Sequence, residues 1–194
     1  MTAYHVTDIA NFFIDYYRNS VDPMTLTRVQ LFTYFAQAES LARNDRLLFE
    51  DEIRAYSTGP AVTRLCVYYE GAGNMPIDIY KTFDPSIFDK EDFDVLQDVA
   101  VYYNQFSTSE LMIKSFIAGG PWEQYYTKDS TNMPAIDPSS IKEFYAARPR
   151  VPNYIDVMVH MLEDNGMTND RYNIGSVAGA TKPYIDKVMS GSWE

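Results

Sequence analysis

The residues able to do covalent or metal chemistry are few and far apart in this chain. It has two histidines, His5 and His160, and one cysteine, Cys66. A zinc or iron site needs several imidazole or thiolate ligands at short spacing. No His-x-x-x-His or Cys-x-x-Cys pair occurs, so no metal ligands are expected. Cys66 sits in the apolar stretch Leu65-Cys66-Val67 and reads as a buried free thiol rather than a nucleophile. Gly71-x-Gly73 lacks the preceding strand and the third glycine of a dinucleotide-binding turn, and no Gly-x-x-x-x-Gly-Lys stretch cradles phosphates, so no cofactor is expected. The acids Asp89, Glu91, Asp92 and Asp94 could move protons, but acids at a helix start are ordinarily solvated partners of the helix dipole. Ser107 and Ser109 have no histidine near them in sequence. No catalytic residue is assigned, and the chemistry these residues suggest is recognition.

Sixteen tyrosines point the same way, because a phenol joins a large apolar face to a hydrogen-bonding tip and is enriched at binding surfaces. The net charge of −11 disfavours broad contact with nucleic-acid phosphates and favours a partner with a basic surface. A chain of 194 residues, 46% hydrophobic and 22% charged, can bury one substantial core. No apolar run approaches the ~18 residues of a membrane span, and Met1 to Ala10 shows no export signal. A cytoplasmic protein with no membrane partner is expected.

The elements that must position a binding surface follow from periodicity. Ile9, Phe12, Phe13, Tyr16 and Tyr17 recur on one helical face, with Thr7 as its cap. After the turn Ser20-Val21-Asp22-Pro23, a second helix carries Leu31, Tyr34, Phe35, Ala38, Leu41 and Ala42, capped by Thr25 or Thr27, and the two make a hairpin. Glu52 to Tyr56 reads as a short strand. Gly59-Pro60 then starts a helix through Val62, Leu65, Cys66 and Tyr69. Ile77 to Tyr80 is expected to pair with the first strand as a two-stranded ribbon, which needs helices to pack on. Asp89 to Asp92 opens a helix buried through Phe93, Leu96, Ala100 and Tyr103. Ser107 to Glu110 has capping-box spacing for a helix to about Ile117, stopped by Gly119-Gly120-Pro121. A long ordered loop from Trp122 leads to a helix opened by Asp137-Pro138, with Ile141, Phe144 and Tyr145. Arg148-Pro149-Arg150-Val151-Pro152 marks a domain boundary. The expected fold is therefore mainly α: a compact multi-helix domain with a short two-stranded β ribbon over residues 1–149, plus a C-terminal helical extension over 150–194.

Met24-Thr25-Leu26-Thr27-Arg28-Val29-Gln30-Leu31-Phe32-Thr33-Tyr34-Phe35-Ala36-Gln37 resembles the opening helix of the Panacea domain, the SocA-like antitoxin family. Leu41, Leu48-Phe49, Glu52, Ala55-Tyr56 and Gly59-Pro60-Ala61-Val62 follow in the family's order. Leu111 to Pro121-Trp122 is similar to its late helix ending in proline-tryptophan, and Ile136 to Tyr145 to its closing helix. The likeness spans roughly residues 5–148. Leu31 stands in place of a usual lysine, and Phe116 where the family commonly has histidine before proline-tryptophan. The resemblance implies an antitoxin that neutralises a toxin protein by direct binding, or an adaptor that delivers its partner to a protease. Tyr56, Gly59, Pro60, Trp122, Tyr125 and Tyr126 are then the candidate partner-binding residues, the tyrosines as anchors and the Gly-Pro and Pro-Trp corners as frame.

Beyond that span, Ile155, Val159 and Leu162 mark a helix ended by Asn165-Gly166. Arg171 to Val177 and Lys182 to Met189 are spaced as two short helices joined through Gly179-Ala180-Thr181, like a helix-turn-helix. Read so, Lys182, Tyr184 and Lys187 face operator DNA, with Asp186 among them, and the protein is a transcriptional regulator. The other reading is an appendage that packs on the main domain or extends the toxin interface, with Trp193 as its anchor.

Overall fold

A computed structural model describes residues 3–20, 23–78, 83–128 and 132–155. Its organising element is helix α2 (Leu26–Asn44), in which every residue from Arg28 to Leu41 is buried. A helix buried all round lies at the centre of a fold, not on its surface. Helix α1 (Val6–Tyr16), α3 (Thr63–Tyr68), α4 (Lys90–Tyr103), α5 (Thr108–Ser115) and α7 (Pro138–Ala146) all pack against it. The fold is mainly α, with seven α-helices and one two-stranded antiparallel sheet among the described residues.

The aromatic face expected on α1 is buried: Phe12, Phe13, Tyr16 and Tyr17 are all nearly inaccessible. Phe13 and Tyr17 meet Phe32 of α2 edge-on at 5.2 and 5.7 Å between ring centroids. On the other flank, Phe35 of α2 stacks on Tyr103 of α4 at 4.2 Å. Each such side chain contributes about 1.5–3 kcal/mol by leaving water. Thr25 caps α2, its hydroxyl accepting the Arg28 amide at 3.4 Å. Helix α1 starts at Val6 with His5 as its N-terminal flank, so Thr7 lies inside the first turn and does not cap it.

Two carboxylates of α4 are interior. Asp92, grouped by sequence with solvated acids, is 2% exposed and accepts from Arg46 and from the Tyr4 hydroxyl at 2.8 Å. Asp98, on the same helix, accepts from Arg43, which also reaches Glu39 and the Val151 carbonyl. The second oxygen of Asp98 takes the Tyr154 amide at 2.6 Å. Burial pushes the Asp98 carboxyl above its usual range, with Arg43 and that amide pulling back. Val151 and Tyr154, the first residues assigned to the extension, are thus buried against α2 and α4. Residues 156–194 lie outside the described residues, and with them the expected tail helices, Lys182, Tyr184, Lys187 and Trp193.

The ribbon departs from the sequence expectation. Strand β1 (Ile53–Tyr56) pairs with β2 (Gly59–Val62), not with Ile77–Tyr80, and no helix starts at Pro60. The reason lies in the register. Arg54 and Tyr56 face Ala61 and Gly59, while Ala55 donates the other way, to Pro134 at 2.9 Å. Pro60 opposite Ala55 therefore has its nitrogen on the outer edge of β2, where a missing N–H costs no ladder bond. Helix α3 begins three residues later. Ile77 instead donates to the Met24 carbonyl at 2.8 Å beside a Thr25–Pro76 bridge, and Ile79 and Tyr80 lie outside the described residues.

Downstream, Ser107 and Glu110 form the expected reciprocal capping box on α5. The stretch after Gly120 is not all loop. Pro121 occupies the first turn of a short helix, α6 (Pro121–Tyr125), where its missing donor is harmless. Pro134 to Ile136 then lies along β1, Ile136 donating to Ile53 at 2.8 Å, and Asp137 caps α7 by accepting from Ser139.

Candidate functional site

Two glutamines of α2, one heptad apart, fix the segment that bears the site. Gln37 donates to the Phe49 carbonyl at 3.0 Å and accepts the Leu48 amide at 2.8 Å. Gln30 does the same to Val62, at 3.0 and 2.8 Å, and its amide also reaches the Cys66 sulfur at 3.3 Å. A primary amide offers a donor and an acceptor at nearly peptide spacing, so each glutamine pairs with the backbone as a strand would. Gln30 covers the outer edge of β2, which Pro60 has already stripped of one donor. The edge is closed to further pairing. Cys66, expected buried, is half-buried.

The ribbon tip meets the Pro121-Trp122 corner. The Trp122 indole N–H donates to the Tyr56 carbonyl at 2.8 Å, across 66 positions of sequence. Its ring packs on Phe116 at 4.4 Å and stacks on Tyr126 at 4.5 Å. Gly59, at φ 125°, is tucked against Phe116, whose ring would lie 3.3 Å from any added Cβ. Five of the six sequence candidates, Tyr56, Gly59, Pro60, Trp122 and Tyr126, therefore sit in or beside one aromatic joint, with Tyr125 next to it. Gly59 and Pro60 are buried parts of its frame, while Tyr56, Trp122, Tyr125 and Tyr126 are half-buried. The Tyr56 hydroxyl reaches Thr63 at 2.8 Å.

Two hollows flank this joint. The first, about 380 Å³, has Leu47, Phe49, Ile53, Ile136 and Ile141 as its floor and Tyr125 on its wall. Glu50, Asp51, Glu52 and Asp137 surround it, and among the described residues neither lysine nor arginine lines it. The second, about 450 Å³, lies over the outward face of the ribbon between Tyr56, Arg54, Arg64 and Met133. Asp51 and Glu52 line both, forming a ridge between them. Arg64 holds Asp51 at 2.5 Å, and Arg54 holds Glu52 at 2.5 Å. The Ser139 amide keeps the Asp137 carboxyl below its usual range. A third cleft, about 120 Å³, opens where Tyr102, Tyr103, Phe144 and Tyr145 meet Lys114 and Arg148. There Lys114 lies over Phe106 and Arg148 over Phe144, at 4.0 and 3.2 Å, and Arg148 also caps α7 by donating to the Phe144 carbonyl. Both cations thus complement helix ends.

Sequence reasoning missed the ridge and both glutamines. The run Glu50-Asp51-Glu52 was its visible signal, but three adjacent acids ordinarily mark a solvated turn. Gln30 and Gln37 carried the signal of heptad spacing on an otherwise apolar helix. Among the described residues no group of three or more histidine, cysteine, aspartate or glutamate side chains is arranged to hold a metal, and no helix is long and apolar enough to cross a membrane. The chain matches no family model, no curated protein and no solved structure.

Proposed function

We propose that this protein is an antitoxin of the Panacea (SocA-like) kind, which neutralises a toxin by binding it directly through the surface around the ribbon tip. One observation carries the reading. Two of the segments on which the resemblance rests, Tyr56-x-x-Gly59-Pro60 and Pro121-Trp122, are distant in sequence yet lock together through the Trp122–Tyr56 hydrogen bond and the Phe116–Gly59 contact. Phe116, in the place of the family's histidine, acts as an apolar wedge in that joint, so any proton-linked role of the histidine is not carried over. Leu31, in the place of the family's lysine, is 2% exposed and serves the core. Around the joint, half-buried tyrosines beside two hollows offer the amphipathic anchors that protein interfaces favour. The acidic ridge suits a toxin with a basic working surface and speeds encounter with it.

The test is co-expression with the neighbouring gene. The reading expects that gene to arrest growth when expressed alone. It expects growth to return with this chain present, and the two proteins to elute together on size exclusion. A harmless neighbour, or rescue without a complex, contradicts it.

A further inference from the structure

The linings of the two hollows specify what can enter them. Each has one exposed apolar wall: Leu47, 37% exposed, in the first and Met133, 40% exposed, in the second. Asp51 and Glu52 bound both; the second is lined by Arg54 and Arg64 as well, so the excess of acid lies in the first. In the first hollow, apolar wall plus acid rim is the complement of an arginine or lysine side chain, whose aliphatic stem seeks apolar surface while its head stays with charge and water; the second offers such a side chain Asp51 once Arg64 leaves it. The arrangement on either side of a ridge adds a second constraint. In an extended chain successive side chains point to opposite sides, so a strand laid along the ridge drops alternate residues into the two hollows. A helix would present one face to only one of them.

The ridge is already satisfied by arginines of this chain. Arg64, 64% exposed at its side chain, occupies Asp51, and Arg54 occupies Glu52. Exposed pairs of this kind contribute little stability and exchange readily. Glu50 and Asp137 form no ion pair among the described residues and leave the first hollow net negative.

We infer that the ridge is the docking track for an extended, arginine- or lysine-rich segment of the neutralised protein, and that Arg64 is an internal stand-in which that segment displaces from Asp51. The inference rests on the protein-binding reading above and names its chemistry. The track itself exists in the chain alone.

The test uses the full chain and a labelled octa-arginine peptide, with binding followed by anisotropy at low and moderate salt. Arg64→Ala frees Asp51 and raises affinity about threefold; Glu50→Gln with Glu52→Gln lowers it about tenfold, roughly threefold for each exposed charge. Glu91→Gln, an exposed acid on α4, leaves it unchanged. All three changes are at exposed positions and keep the fold, which the thermal transition verifies. The inference is overturned if Arg64→Ala weakens binding, if Glu91→Gln costs as much as the Glu50/Glu52 double change, or if spermine displaces the peptide at equal charge concentration, since a free polyamine has no backbone to follow a track. Because no toxin is used, the two readings fail separately. Growth rescue without ridge-dependent peptide binding discards the track and keeps the antitoxin. Ridge-dependent peptide binding without rescue discards the antitoxin reading and leaves a binder of basic segments.

Discussion

Gln37 shows how one residue can govern a site without touching a ligand. Truncating it leaves the Phe49 carbonyl and the Leu48 amide buried without their partner. Gln37→Leu is therefore expected to cost about 2–6 kcal/mol in urea unfolding, two unmet buried groups at about 1–3 kcal/mol each. A cost within error of zero contradicts the clamp. Trp122→Phe removes the indole N–H bound to Tyr56 together with part of the ring packed on Phe116 and Tyr126, for a loss of about 1–3 kcal/mol. Neither role was legible in the sequence, because Gln37 reaches 12 residues along the chain and Trp122 reaches back 66. What was legible at this scale is local: Thr25, Ser107 with Glu110, and Asp137 act within three residues of their own position. The burial of Arg28 and Asp92 depends on the helices around them, so a rule that puts charges on surfaces misplaces both.

At the scale of elements the described helices were legible apart from the start of α3 and the short α6, and the ribbon was expected with its first strand in place but with the wrong partner. Helical periodicity is repeated every few residues and survives ambiguity at one position. A four-residue strand has little pattern to read, and Gly59-Pro60 fits a helix start and a strand edge equally well. Only the Ala55–Pro134 pairing, supplied from 79 residues away, decides between them. The ribbon tip gives the sharpest test of the observed geometry. Gly59→Ala places a Cβ 3.3 Å from Phe116 on a backbone at φ 125°, and is expected to destabilise by about 1–3 kcal/mol. It should also shift Trp122 fluorescence, best read in a Trp193→Phe background that leaves Trp122 as the sole indole. Were the segment a helix from Pro60, the same change would be close to neutral. Ser107→Ala tests α5 independently, with an expected loss of about 1 kcal/mol from its capping box.

Among the described residues a phenol-rich interior and buried ion pairs at Arg43 and Arg46 hold the molecule. Burial pushes the Tyr4 and Tyr154 phenols up to about 12, with Asp92 adding to the shift at Tyr4 and Asp94 at Tyr154. Burial also raises Tyr16, Tyr34, Tyr69, Tyr103 and Tyr145. A phenol whose folded pKa exceeds its unfolded value of about 10 keeps its proton more tightly when folded. Its stabilisation is full below pH about 10 and is lost as pH rises towards 12. The urea midpoint is accordingly expected to fall steeply across that window. Tyr4→Phe with Tyr154→Phe should flatten the fall, and an unchanged slope contradicts the burial of those two groups. Removal of Arg43 leaves Asp98 and Glu39 without their counter-charge and is expected to cost about 3–5 kcal/mol. That change should also release residues 151–155 from α4 and raise their hydrogen exchange.

Amide hydrogen exchange on this chain, free and then mixed with the purified product of the neighbouring gene, tests the central claim most directly. A stable complex is expected, with new protection concentrated at residues 47–64, 121–128 and 132–138, on both sides of the Asp51-Glu52 ridge. No complex, or protection confined to other surfaces, would contradict it.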